Sequence, residues 1–197
     1  MRLSGRAAAT LSLAAFMLGG LCGCWQRGAR TVTEAHGRFR AAIAEGDAAA
    51  LYRSLDQQSQ WSVLTIQKYY REVRAAVNAG YPAEARAREL ERTAGADLRR
   101  PAAFFAAQAA RRGWLKRCGG GAAPASRIDE QGRVAMVETA AGARFQFAYT
   151  DRGGWGYAGL QTELETLKRQ ASHDVEMARE NARVYRQAGG PAAGGAP

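Results

Sequence analysis

The hydrophobic period of this chain changes across residues 119–124, Gly-Gly-Gly-Ala-Ala-Pro, and that change limits the possible folds more than any other feature. Before it, apolar residues recur every three or four positions. Val32, Ala35, Phe39 and Ile43 form one such set, and Trp61, Leu64, Ile66, Tyr69, Tyr70, Val73 and Val77 form a longer, broader one. That spacing places them on one stripe of a helix. After it, residues 125–129, 134–139, 143–150 and 155–159 alternate in the manner of half-buried strands. Val134 and Met136, and again Phe145, Phe147 and Tyr149, fall on alternate positions. The short turns between these runs carry Gly132, Gly142 and Gly153-Gly154, so consecutive strands should pair antiparallel. From about residue 161 to 187 the helical period returns. The expected class is α+β: N-terminal helices, a four-stranded antiparallel meander and a long C-terminal helix.

Start and stop signals divide the helical part. Thr31-Val32-Thr33-Glu34 fits a capping box, Gly46 ends the first helix, and Asp47 can cap a second over residues 48–55. Asp56-Gln57-Gln58-Ser59 reads as a turn before a helix over residues 60–79, which Gly80-Tyr81-Pro82 stops. A charged helix over residues 83–93 and another starting at Pro101 follow, the latter turning Phe104 and Phe105 inward. Trp114 and Leu115 extend the core surface, and residues 119–124 form a flexible junction. In the last helix, Leu160, Leu164, Leu167 and Ala171 should pack on the domain. Beyond Ala171 the stripe weakens to Ala, Val and Tyr, amid Glu176, Arg179, Glu180, Arg183 and Arg186. That half is expected to stand out as a single helix held by charge pairs. Residues 188–197, Ala-Gly-Gly-Pro-Ala-Ala-Gly-Gly-Ala-Pro, are low-complexity and expected to be disordered.

The N-terminus reads as a secretory leader. Arg2 and Arg6 precede an apolar run over residues 7–18, too short and wrongly flanked for a membrane span. Leu21-Cys22-Gly23-Cys24 resembles a bacterial lipobox, with Leu at −3, a small residue at −2, Gly at −1 and Cys at +1. No A-x-A-like site lies nearby, and Cys22, preceded by the bulky Leu21, is the poorer candidate. The resemblance implies cleavage after residue 23, a diacylglycerol on Cys24, and a tether over residues 24–30. The expected location is the bacterial envelope, anchored to a membrane and facing the periplasm. By resemblance to enterobacterial lipoprotein sorting, the presence of Trp25 rather than Asp after the modified residue points to the outer membrane.

Removing Arg2 and Arg6 with the leader leaves +8 of the chain's +10 charge. Export argues against nucleic acid as the partner of this basic chain. Interleaving such as Arg86-Ala87-Arg88-Glu89-Leu90-Glu91-Arg92 reads first as a solvated, salt-bridged face. The same arginines could also lean on anionic headgroups or envelope polymers beside the anchor. Cys118 is the one cysteine left for the mature domain, so no internal disulfide is expected. Lys116 and Arg117 beside it should lower its pKa, yet without a neighbouring His or second Cys it reads as an incidental loop thiol. His36 and His173 stand alone, so no metal site is expected, and no phosphate-loop, nucleophile-elbow or dinucleotide fingerprint calls for a cofactor.

The segment from Phe39 through Ile43, Gly46-Asp47, Leu51-Tyr52 and Leu55-Asp56 resembles the opening of the nuclear transport factor 2-like (SnoaL-like) superfamily, as Trp155-Gly156 resembles its closing strands. The likeness covers residues 32–160. It implies a curved sheet around a cone-shaped pocket, with Tyr52, Asp56, Tyr69 and Tyr70 as the residues to line it. Enzymes of that superfamily use an Asp or a His–Asp pair with a nearby Tyr. A fold does not carry its chemistry with it, however, and Asp56 reads equally well as a solvated helix-end carboxylate of ordinary pKa. The expectation is a non-catalytic domain binding a small ligand or protein partner in the envelope. The alternatives are an assembly protein acting through the C-terminal helix, or an isomerase- or dehydratase-like enzyme.

Overall fold

A computed structural model describes residues 28–188. Leu21, Cys22, Gly23 and Cys24, the leader before them and the tail over residues 189–197 lie outside the described residues. The chain is α+β, with helices first, a four-stranded antiparallel sheet next and a long helix last.

Helix α1 (Val32–Glu45) starts where its cap residues place it. The Thr31 hydroxyl accepts from the Glu34 amide, and the Glu34 carboxylate reaches back to the Arg30 amide. Gly46 closes it in the left-handed conformation, at φ 66°. Asp47 then caps α2 (Ala48–Ser54), accepting from the amides of Ala49 and Ala50. Helix α3 (Gln57–Gly80) begins earlier than its apolar pattern suggests. Asp56 accepts from the amides of Gln58 and Ser59, so residues expected to form a turn are its first helical turn. Next come α4 (Ala83–Arg92), α5 (Pro101–Arg112) with Pro101 in its first turn, and the short α6 (Trp114–Arg117).

The glycine junction is tighter than expected. Residues Gly119–Ala122 form a 3₁₀ turn, and Gly121 is buried so closely under Phe39 that a Cβ there would overlap its ring. These glycines therefore bring the backbone against the core.

Strands β1 (Ala125–Gln131), β2 (Val134–Thr139), β3 (Arg144–Thr150) and β4 (Gly154–Tyr157) pair antiparallel in sequence order. The register sets Val137 against Phe145, and Ala135, Phe147 and Tyr157 in one row. Of the two alternating sets in the sequence, only Phe145, Phe147 and their neighbours face the helices. Val134 and Met136 lie opposite Ala148 and Gln146 and are exposed. Pairing decides the face, because residues directly across antiparallel strands share it. Helix α1 lies over the inner face, where the Phe39 ring sits 4.4 Å from Tyr157 and 5.0 Å from Phe145 between centroids.

Helix α7 (Gln161–Ala188) runs alongside α3 in the same direction. Ser62 donates to Glu165 near their starts, Arg179 donates to Glu72 further along, and Gly80 lies against Ala182 near their ends. The second half of α7 does not stand off. Val175, Ala178 and Ala182 are buried against Val73, Val77 and Tyr81 in a cluster of their own. Small residues make this contact, since a Cβ on Gly80 would come within 2.6 Å of Ala182. A weak apolar stripe suffices because α3 extends far enough to meet it.

The core stripe of α3 is narrower than expected. Val63, Ile66, Tyr70, Val73 and Val77 are buried, whereas Trp61 is 48% exposed and Leu64 43% exposed. No helix of the described residues is long and apolar enough to cross a membrane.

Candidate functional site

The first described residues are fastened to the sheet. Gly28 passes so close to Gly153 that it has no room for a side chain, and the Trp155 amide donates to the Ala29 carbonyl at 2.8 Å. Two residues along β4, the Asp56 amide donates to the Tyr157 carbonyl at 3.0 Å and Leu55 bridges to the same strand. The free edge of β4 is thereby covered by two separate segments, the chain entry and the α2–α3 junction.

A cleft of about 520 Å³ opens beside them. Its walls are the outer faces of α1, α2 and the start of α3, together with the β3–β4 turn. Arg38 comes from α1, Tyr52 and Arg53 from α2, Trp61 and Leu64 from α3, and Arg152 from the turn. Three arginines line it and no carboxylate does. Glu34 pairs with Arg38, Asp47 lies 3.6 Å from Arg53, and Arg152 makes no ion pair among the described residues. Such exposed pairs contribute about 0–1 kcal/mol each, so the pairing with Asp47 does not hold Arg53 back from a stronger anion. A guanidinium presents a planar fork of donors that fits carboxylate and phosphate oxygens two at a time.

The four residues singled out from the sequence are not brought together. Tyr52 lines the cleft, its ring 5.7 Å from Phe105, and burial pushes its hydroxyl above the ordinary range. Tyr69 is half-buried between the two core clusters, and Tyr70 packs edge-on against Phe104. Asp56 is 2% exposed, behind the cleft wall, and not the solvated carboxylate expected. One oxygen caps α3, while the other is buried with no hydrogen-bond partner among the described residues. Burial pushes the carboxyl upward, against the cap bonds that pull it down.

The space between α1 and the sheet is filled. Phe39, Phe145, Phe147 and Tyr157 occupy it, with the His36 ring 6.1 Å from Phe147. Cys118 lies beneath them, buried, its sulfur 3.6 Å from the Tyr157 hydroxyl. Burial pushes both the thiol and the phenol upward, which corrects the lowered thiol pKa expected from Lys116 and Arg117. His36 is held below the ordinary imidazole range by burial and then by Arg40. Among the described residues, no group of three His, Cys, Asp or Glu could hold a metal ion.

The cleft arginines escaped the sequence reading. Arg38, Arg53 and Arg152 lie on three distant segments and look like members of the general Arg and Glu interleaving. The packing of α1 on α2 brings Arg38 and Arg53 together, and the fastening of β4 adds Arg152. No protein-family model, curated protein or solved structure matches the chain.

Proposed function

We propose that this chain is a membrane-anchored lipoprotein of the bacterial envelope, held by lipid on Cys24, whose domain binds an anionic ligand or partner without catalysing its conversion. The observation that carries this reading is the cleft: three arginines, no carboxylate, and an opening beside Gly28, four residues after Cys24. The groups best suited to acid–base chemistry serve elsewhere. Asp56 caps a helix, His36 packs among phenylalanines, and Cys118 faces Tyr157 in the core. Binding is favoured over assembly through α7, because that helix spends its apolar stripe on α3. The leader and Leu21-Cys22-Gly23-Cys24 support the anchor, and Trp25 supports the outer membrane as its place.

Cys24→Ser should abolish incorporation of labelled fatty acid and move the protein out of the detergent phase. Continued labelling of that variant would sink the anchor. For the binding half, pyrophosphate titrated into the protein should shift the guanidinium resonances of Arg38, Arg53 and Arg152 first. A response spread evenly over the surface arginines would count against the cleft.

A further inference from the structure

We infer that the cleft and the Trp61–Leu64 ridge beside it are the surface on which the domain lies against anionic phospholipid headgroups of the membrane that holds its anchor. This rests on the anchored reading above and names the partner of the same cleft.

The anchor's reach is short. The domain is fastened to its sheet from Gly28 and Ala29 onward, and four residues separate Cys24 from Gly28. A fully extended chain spans about 3.3–3.6 Å per residue, so Gly28 stays within about 14 Å of the lipidated sulfur's own residue. Helix α3 alone has 24 residues, about 36 Å of rod at 1.5 Å per residue. A tether that short relative to the domain keeps the surface around Gly28 next to the bilayer.

That surface carries groups suited to a bilayer. Trp61 and Leu64 are three apart on α3 and each a little under half exposed, on the same cleft as Gly28. Of the described tryptophans, Trp114 and Trp155 are buried and Trp61 alone is exposed, and indole rings settle at the headgroup level of a bilayer. Arg53 and Arg152 share the cleft, and their aliphatic stems can lie along apolar surface while the guanidinium groups meet phosphate. No carboxylate lines the cleft to be repelled by anionic headgroups. Of the carboxylates adjoining its lining residues, Glu34 and Asp47 pair with Arg38 and Arg53, Asp151 pairs with Arg133, and Asp56 is buried.

The test uses the full chain made with its own leader, with Trp25→Phe throughout so that the indole beside the anchor does not report, reconstituted into vesicles whose lipids carry bromine on their acyl chains, a contact quencher of tryptophan. In phosphatidylethanolamine–phosphatidylglycerol vesicles, Trp61→Phe should remove most of the quenched emission. In phosphatidylcholine vesicles the Trp25→Phe protein with Trp61 intact should show little such quenching. Arg53→Gln and Arg152→Gln should each shift the docked-to-undocked ratio about fivefold toward undocked, the effect of one cationic side chain near an anionic surface. All three side chains are at the surface, and unchanged thermal melts would show that the variants remain folded. Quenching that survives Trp61→Phe, or is equal in both lipids, overturns the inference. The anchor is judged separately: fatty-acid label on Cys24 with no Trp61 quenching leaves the anchor standing and the docking surface overturned. An unlabelled chain that floats with phosphatidylglycerol vesicles, and ceases to do so with Arg53→Gln and Arg152→Gln combined, upholds the surface and overturns only the anchor.

Discussion

Asp56 joins two opposing demands on one side chain. It must accept from the amides of Gln58 and Ser59 to start α3, and it must do so out of water. Asp56→Ala removes the cap and should cost about 0.5–2 kcal/mol. Asp56→Asn keeps an acceptor for those amides and sheds the buried charge. Because burial raises the folded-state carboxyl above its unfolded value of about 3.8, the associated stability is complete below that value and is lost as pH rises through the folded one. The stability of Asp56→Asn relative to native should therefore increase from acid to neutral pH in denaturant unfolding. If it falls as far as Asp56→Ala at neutral pH, the carboxylate charge is needed and the burial argument is wrong. His36 works in the other direction. Its folded-state pKa is depressed by burial and by Arg40, so its contribution is present above the unfolded value near 6.5 and is lost as pH falls below it. His36→Leu should flatten that part of the melting-temperature profile, and an unchanged slope would assign the loss to another group.

Among the elements, the α3–α7 pair carries the clearest consequence. Cutting the chain after Ala171 removes Val175, Ala178 and Ala182 and uncovers Val73, Val77 and Tyr81. Re-exposing a buried Val or aromatic side chain costs about 1.5–3 kcal/mol, and three are involved against a typical total of about 5–15 kcal/mol. The truncated chain should melt far below the native one, or not fold. A melt within a few degrees of native would mean that this half of α7 contributes little, as its composition alone suggests. Leu164 and Leu167 were legible as core because each large side chain at helical spacing needs cover wherever the helix lies. The alanines at 178 and 182 were not. A small residue becomes core only when another backbone approaches, and Gly80 permits that approach.

Across the whole molecule, the charge is distributed so that little of the fold depends on it. The ion pairs are largely at the surface, as with Arg133–Asp151 and Arg144–Glu138, and each contributes about 0–1 kcal/mol. Salt weakens these attractions and also the repulsion that comes with a net +10 chain. The unfolding free energy should therefore change by only about 1 kcal/mol between low and high salt. A loss of several kcal/mol, measured by denaturant unfolding, would show that the pairs hold the fold together.

Local signals were enough for the class of the fold and the order of its elements. Thr31, Gly46, Asp47 and Pro101 act through the backbone within a turn of themselves, and strand alternation followed by Gly132 and Gly142 requires no distant partner. What depended on distant segments meeting was decided only in three dimensions. Strand pairing turned Ala135 and Val137 inward and Val134 and Met136 outward, although either pair satisfies the alternation. The limited width of the core left Trp61 and Leu64 outside a stripe that their spacing would have included. The burial that raises Cys118 outweighs both the Tyr157 hydroxyl and the Arg117 charge beside it in sequence, and it exists only because distant segments pack over the thiol. The cleft belongs to the same class. Arg38, Arg53 and Arg152 carry no mutual signal along the chain, because electrostatic fields act through space: α1 packing on α2 joins the first two, and the segments fastened to β4 bring in the third.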